Sequence, residues 1–529
     1  MEFNLADLFE HAVDAFGERE YLVANGTRRT YAEMEARANQ LAHHLAAHGV
    51  GPGDHVGIYG ENCVEWVECL WAVFKLRAVW ININYRYVED ELAYLFANAD
   101  LKALVHEAAF TERVNGVLPH LPKLQHRLVF GPGGDYETAL AAQSTERDFG
   151  PRSGDDIYIL YTGGTTGMPK GVVWRQADVF FALGGGIDAL TGVKVTRPEQ
   201  MVEKGTNGFP LTTLPIAPLM HGATQWSVMG GSFVGNKIVL MAKFDPDEVW
   251  RLVQDERCTS VFITGDAMGR PLIEALDHEP AASYDLSSLI NLSSTAALFS
   301  PTVKDAFLDR FPNLIMTDAI GASESGANGI TFVKKGATEM KGGPTVTPIA
   351  GTLVLDDDMR PLSPTESPGV VGRIARSGHV PIGYYNDPEK TAQTFLTVDG
   401  VRYVIPGDYA MYEPDGSITL LGRGSQSINS GGEKIYPEEV ESAVRSHPDV
   451  YDAVVVGVPD ERWGQRVAAV VQARDGTAPT LDSIQEHCRA KIAGYKVPRE
   501  LHLVSLMQRS PSGKPDYPWA KKVATEGVS

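Results

Sequence analysis

Short apolar runs rich in β-branched and aromatic residues alternate with helical patterns through the first half of this 529-residue chain. They lie at residues 56–59, 78–83, 103–105, 127–129, 157–160, 238–240 and 261–263. An unbroken apolar run of that length reads as a buried strand. Strands alternating with helices specify parallel sheets covered by helices. Among the helices, Thr30-Tyr31-Ala32-Glu33 is a capping box ahead of Met34, Ala38, Leu41 and Leu45 at helical spacing, with Gly49 as the stop. From about residue 369 to 421 the texture changes to short strands with turns such as Glu413-Pro414-Asp415-Gly416, which predicts an antiparallel section.

A Gly- and Ser-rich stretch, GRGSQSINSGG at 422–432, marks a boundary. Beyond it the pattern predicts a helix at 438–446, a strand at 453–458 and a helix at 481–493, enough for a small α+β domain. The run Asp356-Asp357-Asp358 reads as a solvated turn.

The chain is too long for one core and has the make-up of a soluble globular protein, 43% hydrophobic and 22% charged. A formal charge of −20 excludes a nucleic-acid partner, whose phosphates it repels, but leaves room for a nucleotide ligand held by local cations. Cys63, Cys69, Cys258 and Cys488 are scattered without a CxxC pair and read as reduced thiols, so a cytoplasmic location is expected. The start, MEFNLADLFEHAVDAF, has no basic n-region and so no signal-peptide character. Lys75 and Arg77 interrupt the most apolar stretch, 70–83, which is too short for an integral membrane segment.

Residues 161–172 read YTGGTTGMPKGV directly after the run at 157–160. Gly- and hydroxyl-rich chain leaving a strand offers backbone N–H groups to the oxygens of a polyphosphate. A Walker A loop would need Gly-Lys-Ser/Thr opening a helix. Here Lys170 lies between Pro169 and Gly171, and Pro169 forbids an unbroken helix. No Gly-x-Gly-x-x-Gly follows the strand either, so a dinucleotide fingerprint is absent.

This segment resembles the phosphate loop of the adenylate-forming superfamily, which includes acyl-CoA synthetases, luciferases and peptide-synthetase adenylation domains. Further motifs follow in the family's order: Ile320-Gly321-Ala322-Ser323-Glu324, Pro406-Gly407-Asp408, Gly422-Arg423, Asn429 to Glu441 and Ser510-Pro511-Ser512-Gly513-Lys514. Within the superfamily the chain is most similar to actinobacterial fatty-acid and steroid-side-chain acyl-CoA synthetases. The resemblance implies a large N-terminal domain (1–424) of parallel α/β layers with a small β-barrel-like section, and a small mobile α+β C-terminal domain (425–529). It implies ATP, Mg²⁺ and CoA as reactants, with a carboxylic acid as substrate, and it is compatible with a homodimer.

Residue roles follow from the same resemblance. Thr162, Gly163, Gly164, Thr165, Thr166, Gly167 and Lys170 would hold the β- and γ-phosphates, with Thr166 and Glu324 on the metal. Ala296, Ala297, Asp318, Ala319 and Ile320 would line the adenine site, and Ser323 would bind the nucleotide from the segment that carries Glu324. The family often stacks a tyrosine there, whereas Ile320 offers aliphatic packing. Asp408, an acceptor-only carboxylate, would take both ribose hydroxyls, and Arg423 the ribose or phosphate. Lys514 would neutralise charge on the α-phosphate and the attacking carboxylate, and His221 would gate the acyl pocket. Gly431 and Gly432 would face the pantetheine after the C-terminal domain rotates, and Lys434 would be a further cofactor-binding residue. At the family's hinge position, usually Asp or Lys, stands Ser425, so rotation relies on soft backbone. The small residues Gly222, Ala223, Gly230, Gly231 and Ser232 would leave room for a bulky acyl group.

An enzyme that loads a carrier protein shares these motifs. An amino-acid activator usually carries an Asp near 217–221, which is missing. A non-catalytic nucleotide sensor has no need of Lys514, Asp408 and Glu324 together.

Overall fold

The computed structural model describes residues 2–527, apart from 165–166, 189–190, 337–342, 431–432, 461 and 511–512 and the side chains of His120, Arg423, Ser425 and Lys434. The first sheet runs in the spatial order Gly383–Tyr384, Gly167–Arg175, Ile157–Gly164, Val79–Asn82, His55–Tyr59, Leu101–Glu107 and His126–Phe130. Its last five strands are parallel, and every residue of His55–Tyr59 and Val79–Asn82 is buried. The runs at 56–59 and 78–83 therefore lie in strands covered on both faces, while that at 127–129 lies in the edge strand, with Arg127 exposed.

A second sheet begins with parallel strands Glu20–Ala24, Lys237–Leu240, Thr212–Pro215, Ser260–Ile263, Asn291–Thr295 and Ile315–Ala322. It continues into antiparallel strands, among them Gly326–Phe332, Thr345–Pro348, Ile418–Arg423, Asp408–Tyr412 and Val371–Ser377. The antiparallel section expected from the turn-rich sequence is thus an extension of this sheet. Its own small core holds Val346, Val354, Ile374, Ala410, Tyr412 and Ile418.

Helix Tyr31–Ala47 begins as its sequence dictates. Thr30 Oγ1 accepts from Glu33 N at 3.1 Å, and Glu33 Oε2 accepts from Thr30 N at 2.8 Å. Just past its end Gly49 takes φ 83°, a left-handed conformation that suits glycine. Buried charge binds this helix to its neighbours: Lys75 Nζ lies 2.5 Å from Glu10 and 2.9 Å from Glu35. In the sequence Lys75 only interrupted an apolar stretch; in the fold its ammonium is fully paired inside it.

The C-terminal sheet contains Glu433–Ile435, Ile428–Ser430, Gly464–Ala473, Val450–Asp460 and Glu500–Val504. Alternation along Val450–Asp460 sends Val455 towards helices Pro437–Arg445 and Leu481–Arg489, and Val454, Val456 and Val458 towards helix Tyr517–Glu526. That last helix and strands Gly464–Ala473 and Glu500–Val504 go beyond the sequence reading, and Leu481–Arg489 ends earlier than predicted. Asp356 and Asp358 pair with Arg360 on an exposed turn, as read.

Candidate active site

The two domains enclose a cavity of about 260 Å³. The N-terminal domain lends it Thr162, Gly163, Lys170, Ala296, Ala297, Ala319, Ile320, Glu324 and Asp408, and the C-terminal domain Arg509, Lys514 and Tyr517. Residues separated by some 350 positions therefore face one space.

The expected phosphate loop is a β-hairpin. Ile157–Gly164 and Gly167–Arg175 pair antiparallel, with Thr162 opposite Lys170 and Gly164 opposite Gly167. Its tip, Thr165 and Thr166, lies outside the described residues. Pro169 falls where the register shifts, so its missing N–H interrupts no regular ladder. A Cβ on Gly171 would sit 2.8 Å from both Ile159 and the Tyr161 ring, so glycine lets the hairpin close over those side chains. Lys170 Nζ reaches Asp387 Oδ2 at 2.7 Å. Asp387 also caps helix Pro388–Thr394, and the Lys170 hydrogen bond, with others, holds its carboxyl below the usual range.

Glu324 sits in the turn between Ile315–Ala322 and Gly326–Phe332, where the second sheet meets the edge of the first. Tyr384, on edge strand Gly383–Tyr384, donates its hydroxyl to Glu324 Oε1 at 3.0 Å. Trp174 Nε1 donates to the Ser323 carbonyl at 3.1 Å, a second bond between the sheets. Ser323 thus shows a structural bond beside the cavity, and it is not among the residues lining the cleft. Ile320 is buried and lines it, with Ala296 at φ 68°, a left-handed backbone rarely held by alanine.

Asp318, expected near the adenine, differs. Its carboxylate is buried, lies 2.7 Å from Lys304 Nζ and is absent from the cavity wall. Lys304 of helix Pro301–Arg310 holds it there instead. Asp408 opens strand Asp408–Tyr412 after Gly407 at φ 99°, in register with Arg423, whose side chain lies outside the described residues. Gly431, Gly432 and the Lys434 side chain are outside them too.

Lys514 stands on a tight turn. Ser510 N bonds the Lys514 carbonyl at 2.9 Å, Lys514 N donates to Ser510 Oγ at 3.1 Å, and Arg509 Nη1 donates to the Gly513 carbonyl at 2.8 Å. Arg509 is in turn bidentate on Asp452, at 2.6 and 2.7 Å, inside the C-terminal domain. The turn also docks on the other domain: a Cβ on Gly513, at φ 72°, would lie 2.9 Å from Ala267 Cβ and from the Thr264 carbonyl oxygen. Gly513→Ala is expected to push the lysine turn off the N-terminal domain and, on the chemistry that the resemblance implies, to cut adenylate formation by about 10- to 100-fold, since misplacing a reacting group by an ångström costs that much. Pyrophosphate release, measured beside a normal melting curve for the C-terminal domain, checks it. A second cleft, of about 900 Å³, adjoins this turn and is walled by Ile216, Phe244, Arg270, Tyr451, Arg474 and Leu506.

His221 stands half-buried at the N-terminal end of helix Gly222–Ser232, and its buried Nε2 finds no hydrogen-bond partner among the described residues. Burial, aided by the charge of Lys514, lowers the imidazole from 6.5 to about 3. The ring is neutral at neutral pH. Because the unfolded chain takes up this proton near 6.5 and the folded one only near 3, wild-type stability declines as pH falls through that window. His221→Gln is expected to lose less stability than wild type between pH 8 and 5, read from unfolding midpoints at each pH.

Of the small residues after His221, Gly222 and Gly231 let the helix approach the strands beside it. A Cβ on Gly222 would meet Leu160 at 2.5 Å and one on Gly231 would meet Ile238 at 3.0 Å. Ser232 is buried and bonds Tyr21 and the Val228 carbonyl. Tyr384, Asp387, Arg509 and Asp452 escaped the sequence reading. Only Arg509, five residues before Lys514, had a positional hint.

A large α/β domain, a small α+β domain and a hairpin that faces a lysine turn across a cleft define the class: a two-domain adenylate-forming fold. The chain belongs to the AMP-binding enzyme family, whose profile matches residues 9–385, while that of the AMP-binding enzyme C-terminal domain matches 439–514. The 3-oxocholest-4-en-26-oate--CoA ligase of Rhodococcus rhodochrous is 52% identical over 534 residues, covering 98% of this chain and 96% of that one. A medium/long-chain-fatty-acid--CoA/3-oxocholest-4-en-26-oate--CoA ligase of Mycolicibacterium smegmatis is 51% identical, covering 99% and 97%. The crystal structure of the anthranilate CoA ligase AuaEII with anthranoyl-AMP shares the fold, with TM-score 0.85 at 22% identity over 99% and 98% of the two chains. No helix among the described residues is long and apolar enough to cross a membrane.

Proposed function

We propose that this chain is an AMP-forming acyl-CoA ligase whose acid is a fatty acid or a steroid side-chain acid. The observation that carries the reading is the convergence of Lys170, Glu324, Asp408 and Lys514 on one interdomain cavity. The names of two relatives identical at half of all positions supply the acyl classes.

In the first step a carboxylate oxygen attacks the α-phosphorus of ATP and pyrophosphate leaves. Asp408 accepts from the ribose hydroxyls, Ile320, Ala296 and Ala297 pack on the base, and the exposed Lys514 ammonium meets the charge gathering on the α-phosphate. Lys170 exchanges Asp387 for the outer phosphates. Glu324 fits one Mg²⁺, because its carboxylate lines the cavity with one oxygen oriented by Tyr384, and Mg²⁺ takes one or two carboxylates plus substrate phosphates. That ion would supply charge neutralisation on the phosphates. In the second step the C-terminal domain turns about the segment at Ser425, the CoA sulfur attacks the acyl carbonyl and AMP leaves. Gly431 and Gly432 would then border the pantetheine.

The decisive experiment is a panel of acids from butyrate to bile-acid-like steroids, scored by ATP- and CoA-dependent AMP release. Turnover of long-chain or steroid acids supports the reading. Activity only with a carrier protein as thiol would overturn it.

A further inference from the structure

Far along the chain from the cleft residues, three histidines converge at the edge of the first sheet. His44 lies in the last turn of helix Tyr31–Ala47, His48 just beyond it, and His126 begins the edge strand His126–Phe130. One ring nitrogen from each lies within 4.8 Å of the other two. His44 Nε2 and His126 Nε2 stand 2.9 Å apart, and His44 is 7% exposed. The sequence hides this grouping, because His126 is 78 residues from His48.

We infer that His44, His48 and His126 form a binding site for a divalent transition-metal ion, Zn²⁺ above all. Imidazole nitrogen is the donor that suits Zn²⁺, Cu²⁺ and Ni²⁺, and three histidines with a water in the fourth place are an established zinc donor set. With Zn–N bonds of about 2.0–2.1 Å, tetrahedral ligand atoms stand about 3.3 Å apart, near the 2.9 Å already held by His44 and His126. His48 is exposed at the helix end and its ring stacks on that of His126, 3.9 Å between centroids, so binding requires that stack to open.

The protons are arranged for it. His48 Nδ1 donates to the His44 carbonyl at 2.8 Å, which leaves its Nε2 with the lone pair. A backbone carbonyl fixing a ligand's tautomer in this way is a usual support of a metal-bound histidine. The His44–His126 contact needs a proton on one Nε2, and a bound cation takes its place while that proton moves to the same ring's Nδ1. Burial lowers both rings, His126 to about 4, so they are neutral ligands near pH 7. Asp135, whose Oδ1 accepts from Val129 N at 2.9 Å, adds negative charge that acts on both. A cation here would clip the end of a helix to the edge strand of the sheet.

The test uses the full-length, tag-free protein stripped with a chelator and dialysed. Zn²⁺ titrated against a chromophoric chelator is expected to bind at one ion per chain, and Co²⁺ to show the visible bands of a four-coordinate site. His48→Ala and His126→Gln should each weaken that binding by at least about tenfold, as losing a ligand or its support does. Exposed His278→Ala, as control, should leave it unchanged. Zn²⁺ should raise the unfolding midpoint of wild type and not of His48→Ala. Absence of stoichiometric binding in wild type, or binding that survives both His48→Ala and His126→Gln in folded protein, overturns the site.

Discussion

Lys514→Ala is expected to lower adenylate formation by about 10²–10³-fold, the range found when one preorganised charge-stabilising group is removed. The same variant, given preformed acyl-adenylate and CoA, should make thioester at close to the wild-type rate. The split follows from geometry. Lys514 rests on a turn braced by Arg509 and Ser510 and docked against Thr264 and Ala267, so its ammonium is held in the cavity only while the domains sit as they do here. In the domain arrangement proposed for the second step, this lysine would lie elsewhere. Pyrophosphate release and thioester formation, measured separately, decide the matter. Equal loss in both half-reactions would remove Lys514 from the first.

Lys304→Met should cost about 3–5 kcal/mol of stability, the usual result of leaving one partner of a buried ion pair behind. Lys304 and Asp318 are both buried, 2.7 Å apart. Burial already raises the Asp318 carboxyl, although Lys304 opposes that rise. Without Lys304 it rises further, so the folded variant takes up a proton that the unfolded chain, at an ordinary carboxylate pKa, does not. Stability of the variant should therefore improve as pH falls towards the acid range, and decline as pH rises through the raised value. Denaturant unfolding at two pH values checks the sign. Adding Asp318→Asn should recover much of the loss and leave the KM for ATP unchanged. A rise in that KM would return Asp318 to the nucleotide site.

What could be read in advance was local or periodic. The capping box at Thr30–Glu33 needs only four residues of chain, and buried strands announce themselves by unbroken apolar runs. Lys170, Glu324, Asp408 and Lys514 were legible as members of ordered motifs, and they line one cavity. Their partners were not. Asp387 lies 217 residues from Lys170, and Tyr384 60 from Glu324, distances over which no spacing rule operates. Asp318 was misplaced because its neighbour Lys304 sits on helix Pro301–Arg310, invisible to a motif centred on the strand. Gly222 and Gly231 show another limit: one letter serves both empty space and close approach, and only the neighbours Leu160 and Ile238 tell which.

Gly513 is one of several places where the two domains meet, beside Arg474 against Glu274 and Arg270 over the Tyr451 ring. It meets the Thr264 carbonyl and Ala267 with no side chain of its own. Such an approach is close but buries almost no apolar area, and so contributes little attraction. In the proposed two-step cycle this contact opens once per product, and added adhesion there would slow the second half of the cycle. A glycine at this spot gives positional accuracy with little grip, which lets the lysine arrive at a defined place and leave without a toll.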